Sequence, residues 1–533
     1  MHNFFIVRYF SRVILYTLRL VKLKTISRKK ILFISSFFEK NLSEFIPNRT
    51  KSIILIDPFT VAEWVITSSY FVNILAKEKE SVIKTFSNYS RIESPVDNVI
   101  FKSFNVIGHI KTALTNEKLI QEKGNIVADL RSNVKTKRDL FDIKINGVWI
   151  GIDIYETYLK KGNPTIDFED RSLWDVLEEG VEFLLFWGDF FNNNSVSGVV
   201  LSHDCYTHMN ILAKIAYKEN VPVYFANALL WQKSDQQFSL YENRFKGYRD
   251  YFDNLSSKEK KDAKQWGKER LSLRLSGQVG VDMNYSTVSA FKSPPSDNVN
   301  ILKTSSKIKI LIAVHDFYDN PHGYGGMLFT DFYVWIDYLV GISNNTDYDW
   351  YIKTHPDTSQ QTLDALSSGL LDNSKIKLIP KNTSFIQLAK EGLDFVLTCF
   401  GSVGHELPLL GIQVINASTN NPHIAYNFNW HAKSVNHYKE LLLNLASLNI
   451  SIDKNEMYEF YYMNYKYTNL DDLIYNSHSQ MTVDLDEKSQ FSLDAYIYFI
   501  KKLSEEKNKE IKINIKKFIK SNKKNYYIKG PEN

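Results

Sequence analysis

The sequence predicts an α/β protein built on two parallel sheets with helices on their faces. Three observations carry this. The chain has 533 residues, and a single hydrophobic core stops growing near ~250–300 residues, so two domains are expected. Short apolar runs alternate with longer amphipathic segments twice over, and a strand–helix–strand rhythm of that kind builds parallel sheets. Between the two runs, residues 276–306 are rich in Ser, Pro and Asn and contain Ser293-Pro294-Pro295-Ser296, the composition of a linker. With 44% hydrophobic and 14% aromatic residues there is material for packed cores, which excludes dominant disorder, and 22 Gly with 13 Pro exclude collagen-like and low-complexity classes. No internal repeat is present, which removes solenoids and propellers. Two cysteines, Cys205 and Cys399, make neither a disulfide framework nor a metal knuckle and point to a reducing, cytosolic compartment.

Residues 4–19 are apolar but broken by Arg8, Arg12 and Arg19, which with Lys22 fall on one stripe of a helix. That is the pattern of a helix lying in a membrane interface; the other reading is a helix packed on the body of the protein with its arginines in water. Arg12 interrupts the apolar region and no small-residue cleavage site follows, which argues against a secretory signal. Next, 31–34 and 52–56 read as buried strands, and 60–78 and 172–192 as helices, the second with Asp175, Glu178 and Glu179 in its early turns. A strand at 198–202, a helix near 206–219 and a strand at 221–225 follow, then a highly charged helix at 256–275. After the linker come a strand at 308–314, a helix at 327–342, strands at 349–353 and 375–379, and a helix near 384–391. A strand at 395–398, a helix at 402–410 and a strand at 413–416 close the series. The division expected is a basic amphipathic segment at 1–30, a first domain at 31–250, a helix and linker at 251–306, a second domain at 307–480, and a helix with a basic tail at 481–533.

Ligands in such sheets bind beyond the carboxyl ends of the strands, so the loops there are where chemistry is expected. After the 308–314 strand comes His315-Asp316-Phe317-Tyr318-Asp319-Asn320-Pro321-His322-Gly323-Tyr324-Gly325-Gly326. Its glycines let backbone N–H groups approach an anion, and a helix starting near Met327 would aim its positive end at the same place. His315, Asp316, Asp319 and His322 are metal-ligand types, but their spacing matches no standard site. After 349–353 comes Lys353-Thr354-His355-Pro356-Asp357, where lysine and histidine suit a phosphate and Pro356 fixes the turn. After 395–398 a Gly401-Ser402-Val403-Gly404 turn opens a short helix carrying Glu406, and Gly411 ends it. Ser402 stands where an N-cap would, while the same turn suits a phosphate and Glu406 suits ribose hydroxyls. In the first half, 198–202 ends in Ser202-His203-Asp204-Cys205-Tyr206, where His203 and Asp204 form a candidate base, with Glu156 the second. No Walker A, HExxH or G-x-S-x-G motif occurs in these segments.

On these residues the chain resembles bacterial capsule and surface-polysaccharide glycosyltransferases of the GT-B fold. The resemblance is carried by the His-Asp loop, Lys353-Thr354-His355-Pro356, the Gly401-Ser402 to Glu406 to Gly411 segment with Val414-Ile415-Asn416-Ala417, and the run from Tyr426-Asn427-Phe428 to Tyr438. It is weaker over 147–291, where Arg274-Leu275-Ser276-Gly277 belongs to it. It implies two Rossmann-like domains facing across a cleft, acceptor binding in the first and nucleotide-sugar binding in the second. Several relatives with a His-Pro motif use a CMP-linked ulosonic acid such as Kdo, and relatives commonly have proline where this chain has Thr354. By similarity, Lys353 and His355 face the donor phosphate and Ser402 and Glu406 hold the nucleotide. His315, Asp316, His322, Gly325, Gly326, Pro356, Ser384 and Gly401 complete the donor side, and the base is Asp204 or Glu156, with His203 beside it. The reaction implied is an inverting transfer to a surface polysaccharide or its lipid-linked precursor, with a UDP-sugar as the other donor. No metal and no cofactor beyond the nucleotide sugar is expected. A CDP-glycerol-type glycerophosphotransferase, a sugar-nucleotide epimerase and a non-catalytic glycan-binding scaffold remain as readings on the same fold.

The net charge of +5 is unevenly distributed. Residues 1–38 carry eight basic and no acidic side chains, and 501–533 carry eleven lysines against four glutamates, leaving the remainder acidic by ten. Basic ends on an acidic body suit the anionic inner face of the cytoplasmic membrane, through 1–30 and 501–529. Nucleic acid is not expected as a partner, because neither end carries a binding module.

Overall fold

The structure is a computed structural model that describes residues 28–45, 51–87, 95–234, 244–282, 288–292, 300–372, 374–470, 472–475, 477–485 and 489–526. The interfacial helix expected at the amino terminus lies, up to residue 27, outside the described residues. Packing divides the chain into two units: Met1–Ile154, Trp174–Gln237 and Leu470–Ile528 in the first, and Tyr155–Leu173, Phe238–Asn469 and Lys529–Asn533 in the second.

The first unit contains β1 (Ile53–Ile56), β2 (Val82–Ser87), β3 (Val106–Lys111), a small hairpin of β4 (Lys144–Ile145) and β5 (Val148–Trp149), then β6 (Val196–Leu201), β7 (Val223–Ala226) and β8 (Trp231–Ser234). Its sheet runs β3-β2-β1-β6-β7-β8, parallel except for the β7/β8 pair. All four residues of β1 are buried, as a parallel strand covered on both faces requires. The helix Ala62–Glu78 packs against it and buries every residue but one from Ala62 to Ala76. Residues 31–34 are not the expected strand. They belong to the helix Arg28–Leu42, whose Ile34, Phe38 and Leu42 recur at every fourth position and are fully buried, while Leu32 and Phe33 are exposed. A four-residue apolar run does not distinguish the two periods; the spacing beyond it decides.

The carboxyl-terminal helices Leu493–Lys501 and Glu505–Lys520 belong to this unit too, with Ile511, Ile515 and Phe518 in its core. Lys512 pairs with Glu44, and Lys516 and Lys520 with Glu78, so part of the basic tail is engaged with the unit itself. Among the described residues no helix is long and apolar enough to cross a membrane.

The second unit contains β9 (Lys309–Val314), β10 (Asp349–Thr354), β11 (Lys377–Leu378), β12 (Phe395–Thr398), β13 (Gln413–Asn416) and β14 (Trp430–His431), all parallel in the order β11-β10-β9-β12-β13-β14. Each six-stranded sheet thus builds outward from its first strand and then reverses, the Rossmann order, with switch points at β1/β6 and β9/β12. The fold class read from the sequence, α/β with two Rossmann-like parallel-sheet halves, is the one present. Phe291 and Leu302, inside the stretch read as linker, are buried in the second core.

The helix expected from Met327 begins instead at Phe332, with Asp331 as its N-cap accepting from the Val334 N–H at 2.6 Å. Its positive end is therefore met by the chain's own carboxylate rather than offered to a ligand. The residues before it form a turn: Gly326 has φ +65°, and a Cβ there would stand 2.6 Å from Thr419 Oγ1, so only glycine allows the approach.

Candidate functional site

Loops leaving the carboxyl ends of β9, β10 and β12 converge on a cavity of about 320 Å³ in the second unit, at its switch point. Eight residues expected on the donor side line it: His315, Asp316, Lys353, His355, Pro356, Gly401, Ser402 and Glu406. Arg274, Asp319, Phe385 and Thr398 join them.

Lys353 lies in β10 and is 3% exposed. Its Nζ donates one long hydrogen bond, 3.4 Å to the Thr354 carbonyl, and sits 4.8 Å from the centroid of the Phe385 ring. Among the described residues no carboxylate pairs with it. Burial pulls its pKa down to about 8, the charge of Glu406 opposing. An ammonium buried with so little compensation is a site that an anion would complete.

Arg274, in the last turn of the helix Ser257–Leu275, donates from Nε to Glu406 Oε1; the two side chains are 9% and 2% exposed. Ser402 stands at the N-cap position, as expected, but makes no cap bond; its Oγ donates to Glu406 Oε2 at 3.3 Å. Glu406, expected to meet ribose hydroxyls, is thus already held from two sides. Gly401 closes the turn by donating its N–H to Thr398 Oγ1 at 3.1 Å, and a Cβ would fall 2.8 Å from that oxygen.

His315 is 3.2 Å through Nε2 from Thr398 Oγ1 and lies between the rings of Phe332 and Phe400, at 4.8 and 4.9 Å. Burial lowers its pKa to about 4, so it is neutral at pH 7. The Asp316 carboxylate accepts from the Tyr318 and Ser359 N–H groups and from Thr362 Oγ1, at 3.1, 3.0 and 2.9 Å, tying the β9 loop to the β10 loop. Burial pushes its pKa up, but these donors outweigh burial and hold it below the usual carboxylate value. The half-exposed His355 accepts from the Asp357 N–H on Nδ1 at 3.1 Å, so in the neutral ring Nε2 carries the proton.

Other expected residues stand outside the cavity wall. Ser384 caps the helix Phe385–Lys390, accepting from the Ile386 N–H at 3.2 Å. Gly325 and Gly326 shape the turn described above, and the Gly326 carbonyl accepts from the Thr419 N–H at 2.7 Å. Glu156 groups with the second unit, where its Oε1 lies 3.1 Å from His322 Nδ1.

His203 and Asp204 are in the first unit, at the end of β6. There Asp57 accepts from the Ser202 N–H and, at 2.9 Å, from the Phe59 N–H. Ser202 Oγ is 2.8 Å from His203 Nδ1, and the imidazole packs at 4.9 Å from Phe59 and 4.7 Å from Trp64. Tyr206 has φ +66° and opens a π-helical turn, Tyr206–Asn210, a strained feature of the kind that gathers at functional sites. Asp57, Phe59 and Trp64 escaped the sequence reading, although Asp57 follows a strand directly. Arg274 entered the sequence reading only within the Arg274-Leu275-Ser276-Gly277 run of the resemblance, with no role at the site.

No family model matches the chain, and no curated protein does. Among solved structures it is similar to the Thermosulfurimonas dismutans KpsC β-Kdo 2,4 transferase, at 13% identity over 50% of this chain and 88% of that one, TM-score 0.29. It is similar to the Neisseria meningitidis UDP-GlcNAc 2-epimerase bound to UDP-GlcNAc, at 14% identity over 82% and 99%, TM-score 0.22. A third is Acinetobacter baumannii MurG, at 10% identity over 83% and 100%, TM-score 0.24. Transferases and epimerases stand side by side in this set, and likeness at this level transfers no activity.

Proposed function

We propose that the chain is a glycosyltransferase that binds a nucleotide-activated sugar in the cavity of its second unit. It moves the sugar to a hydroxyl of a surface polysaccharide or its lipid-linked precursor by inverting displacement. The observation that carries the reading is Lys353, a buried ammonium that no carboxylate among the described residues pairs with, at the wall of a cavity on a sheet's switch point. A donor phosphate supplies the missing negative charge. As the bond from the anomeric carbon breaks, that charge grows, and a preorganised cation in a water-poor wall stabilises it. His355 adds a neutral N–H donor, and the Arg274–Glu406 pair fixes the floor on which Ser402 stands. The donor favoured by the His355-Pro356 motif is a CMP-linked ulosonic acid, Kdo or a nonulosonic acid.

Attachment to the anionic inner face of the cytoplasmic membrane through 1–30 and 501–529 belongs to the same proposal. Within Glu505–Lys520, Lys509 and Lys517 are the exposed lysines left for it once Lys512, Lys516 and Lys520 are paired.

A thermal-shift screen of the full chain against CMP, CDP, UDP, GDP and their sugar conjugates tests the reading, because a ligand that binds only the folded state stabilises it. The expected result is a rise with one nucleotide that K353M loses. No rise with any of them overturns the reading. Product mass then separates sugar transfer from glycerophosphate transfer, and conversion of donor without acceptor would mean epimerisation.

A further inference from the structure

We propose that His322 is the general base of this transfer and that Glu156 positions it and stabilises its charged form; the inference rests on the glycosyltransferase reading. The sequence places the two 166 positions apart. In the structure Glu156 Oε1 stands 3.1 Å from His322 Nδ1, with the carboxylate 3% exposed and the imidazole 23% exposed. An ionised carboxylate only accepts, so this bond places the proton of the neutral ring on Nδ1 and makes Nε2 its basic atom. A partly exposed imidazole oriented by a buried carboxylate is the arrangement that general-base catalysis needs.

Both partners are held. Asn320 Oδ1 accepts from the His322 N–H at 2.9 Å, and the Gly325 N–H donates to the His322 carbonyl at 2.8 Å. On the other side, Tyr155 and Thr165 donate to Asp331, which caps the helix Phe332–Asn344, so the turn bearing Glu156 is clamped one residue away. The loop also connects to the donor site. Asp319, in the same turn, lines the cavity, and Tyr324 packs 4.7 Å from Phe400, the neighbour of Gly401.

In the step, the acceptor O–H proton passes to His322 Nε2 and the oxygen forms a bond to the anomeric carbon. The bond from that carbon to the phosphate oxygen breaks, and its electron pair leaves with the nucleotide against Lys353. The imidazolium formed faces Glu156, where burial strengthens the attraction. His322 is thereby the catalytic residue and Glu156 a positioning one.

The test uses full-length wild type, H322Q and E156Q. Nucleotide binding is read by thermal shift with CMP and UDP. Turnover is read as nucleotide released from CMP-Kdo and UDP-GlcNAc, with water as the acceptor. Expected is wild-type nucleotide binding in both variants, a loss of about 10²-fold or more in kcat for H322Q, and for E156Q a lowered kcat with the KM for the donor unchanged. H322Q turning over at the wild-type rate overturns the dyad and leaves the transferase reading standing. A wild type that binds neither CMP nor UDP, nor CDP or GDP, overturns both. If a variant does not fold, H322N is read in its place, and wild-type kcat in it overturns the assignment.

Discussion

Replacing Lys353 by methionine is expected to make the protein more stable and unable to bind its donor. The side chain is 3% exposed, and burial draws its pKa from 10.5 to about 8. Keeping it charged at pH 7 therefore costs about 3 kcal/mol relative to the unfolded chain. The cost is complete below pH 8, where both states bind the proton, shrinks as pH climbs and is gone above 10.5. Methionine keeps an unbranched stem over the Phe385 ring and needs no counter-charge. Urea denaturation at pH 7 should show K353M more stable by about 1–3 kcal/mol, a gap narrowing to about 1 kcal/mol or less at pH 10. The same variant should lose the nucleotide-dependent rise in Tm. A K353M protein less stable than wild type at pH 7, or a gap indifferent to pH, would refute the reasoning, because Lys353 would then be serving the fold rather than a ligand.

Removing the guanidinium in R274M leaves the Glu406 carboxylate, 2% exposed, unpaired; a loss of about 3–5 kcal/mol is expected in urea denaturation, largely recovered in R274M/E406L. H355A should lower kcat by about 10²–10³-fold, measured as nucleotide release, as losing one donor to a developing charge does. G326A forces a side chain into a φ of +65° and against Thr419; about 1–3 kcal/mol of stability should go, read as a lowered Tm. A chain ending at Leu503 lacks Ile511, Ile515 and Phe518 of the first unit's core and should be recovered as aggregate.

Much of the second unit's site was legible because it is built from local rules. Strands announce themselves as apolar runs, ligands gather at their carboxyl ends, and so Lys353, His355, Gly401 and Ser402 could be grouped before any coordinates. Where a local rule had a competitor it failed. Residues 31–34 fit a buried strand and a helix face equally until Phe38 and Leu42 were seen to continue the four-residue spacing. Ser402 had the right residue type for a cap, but Glu406 one turn on offered its hydroxyl a better acceptor. The helix predicted from Met327 starts five residues later because the Gly325–Gly326 turn is held on 418–420 first.

By itself the sequence determined the two α/β halves, the strand-end loops and the kinds of side chain they carry, since each depends on neighbours within one or two turns of chain. Only the tertiary structure decided which of those side chains face one another. Arg274 meets Glu406 across 132 positions and Glu156 meets His322 across 166. Such pairs leave no periodic trace, because what brings them together is the packing of whole elements rather than either partner's neighbours in the chain.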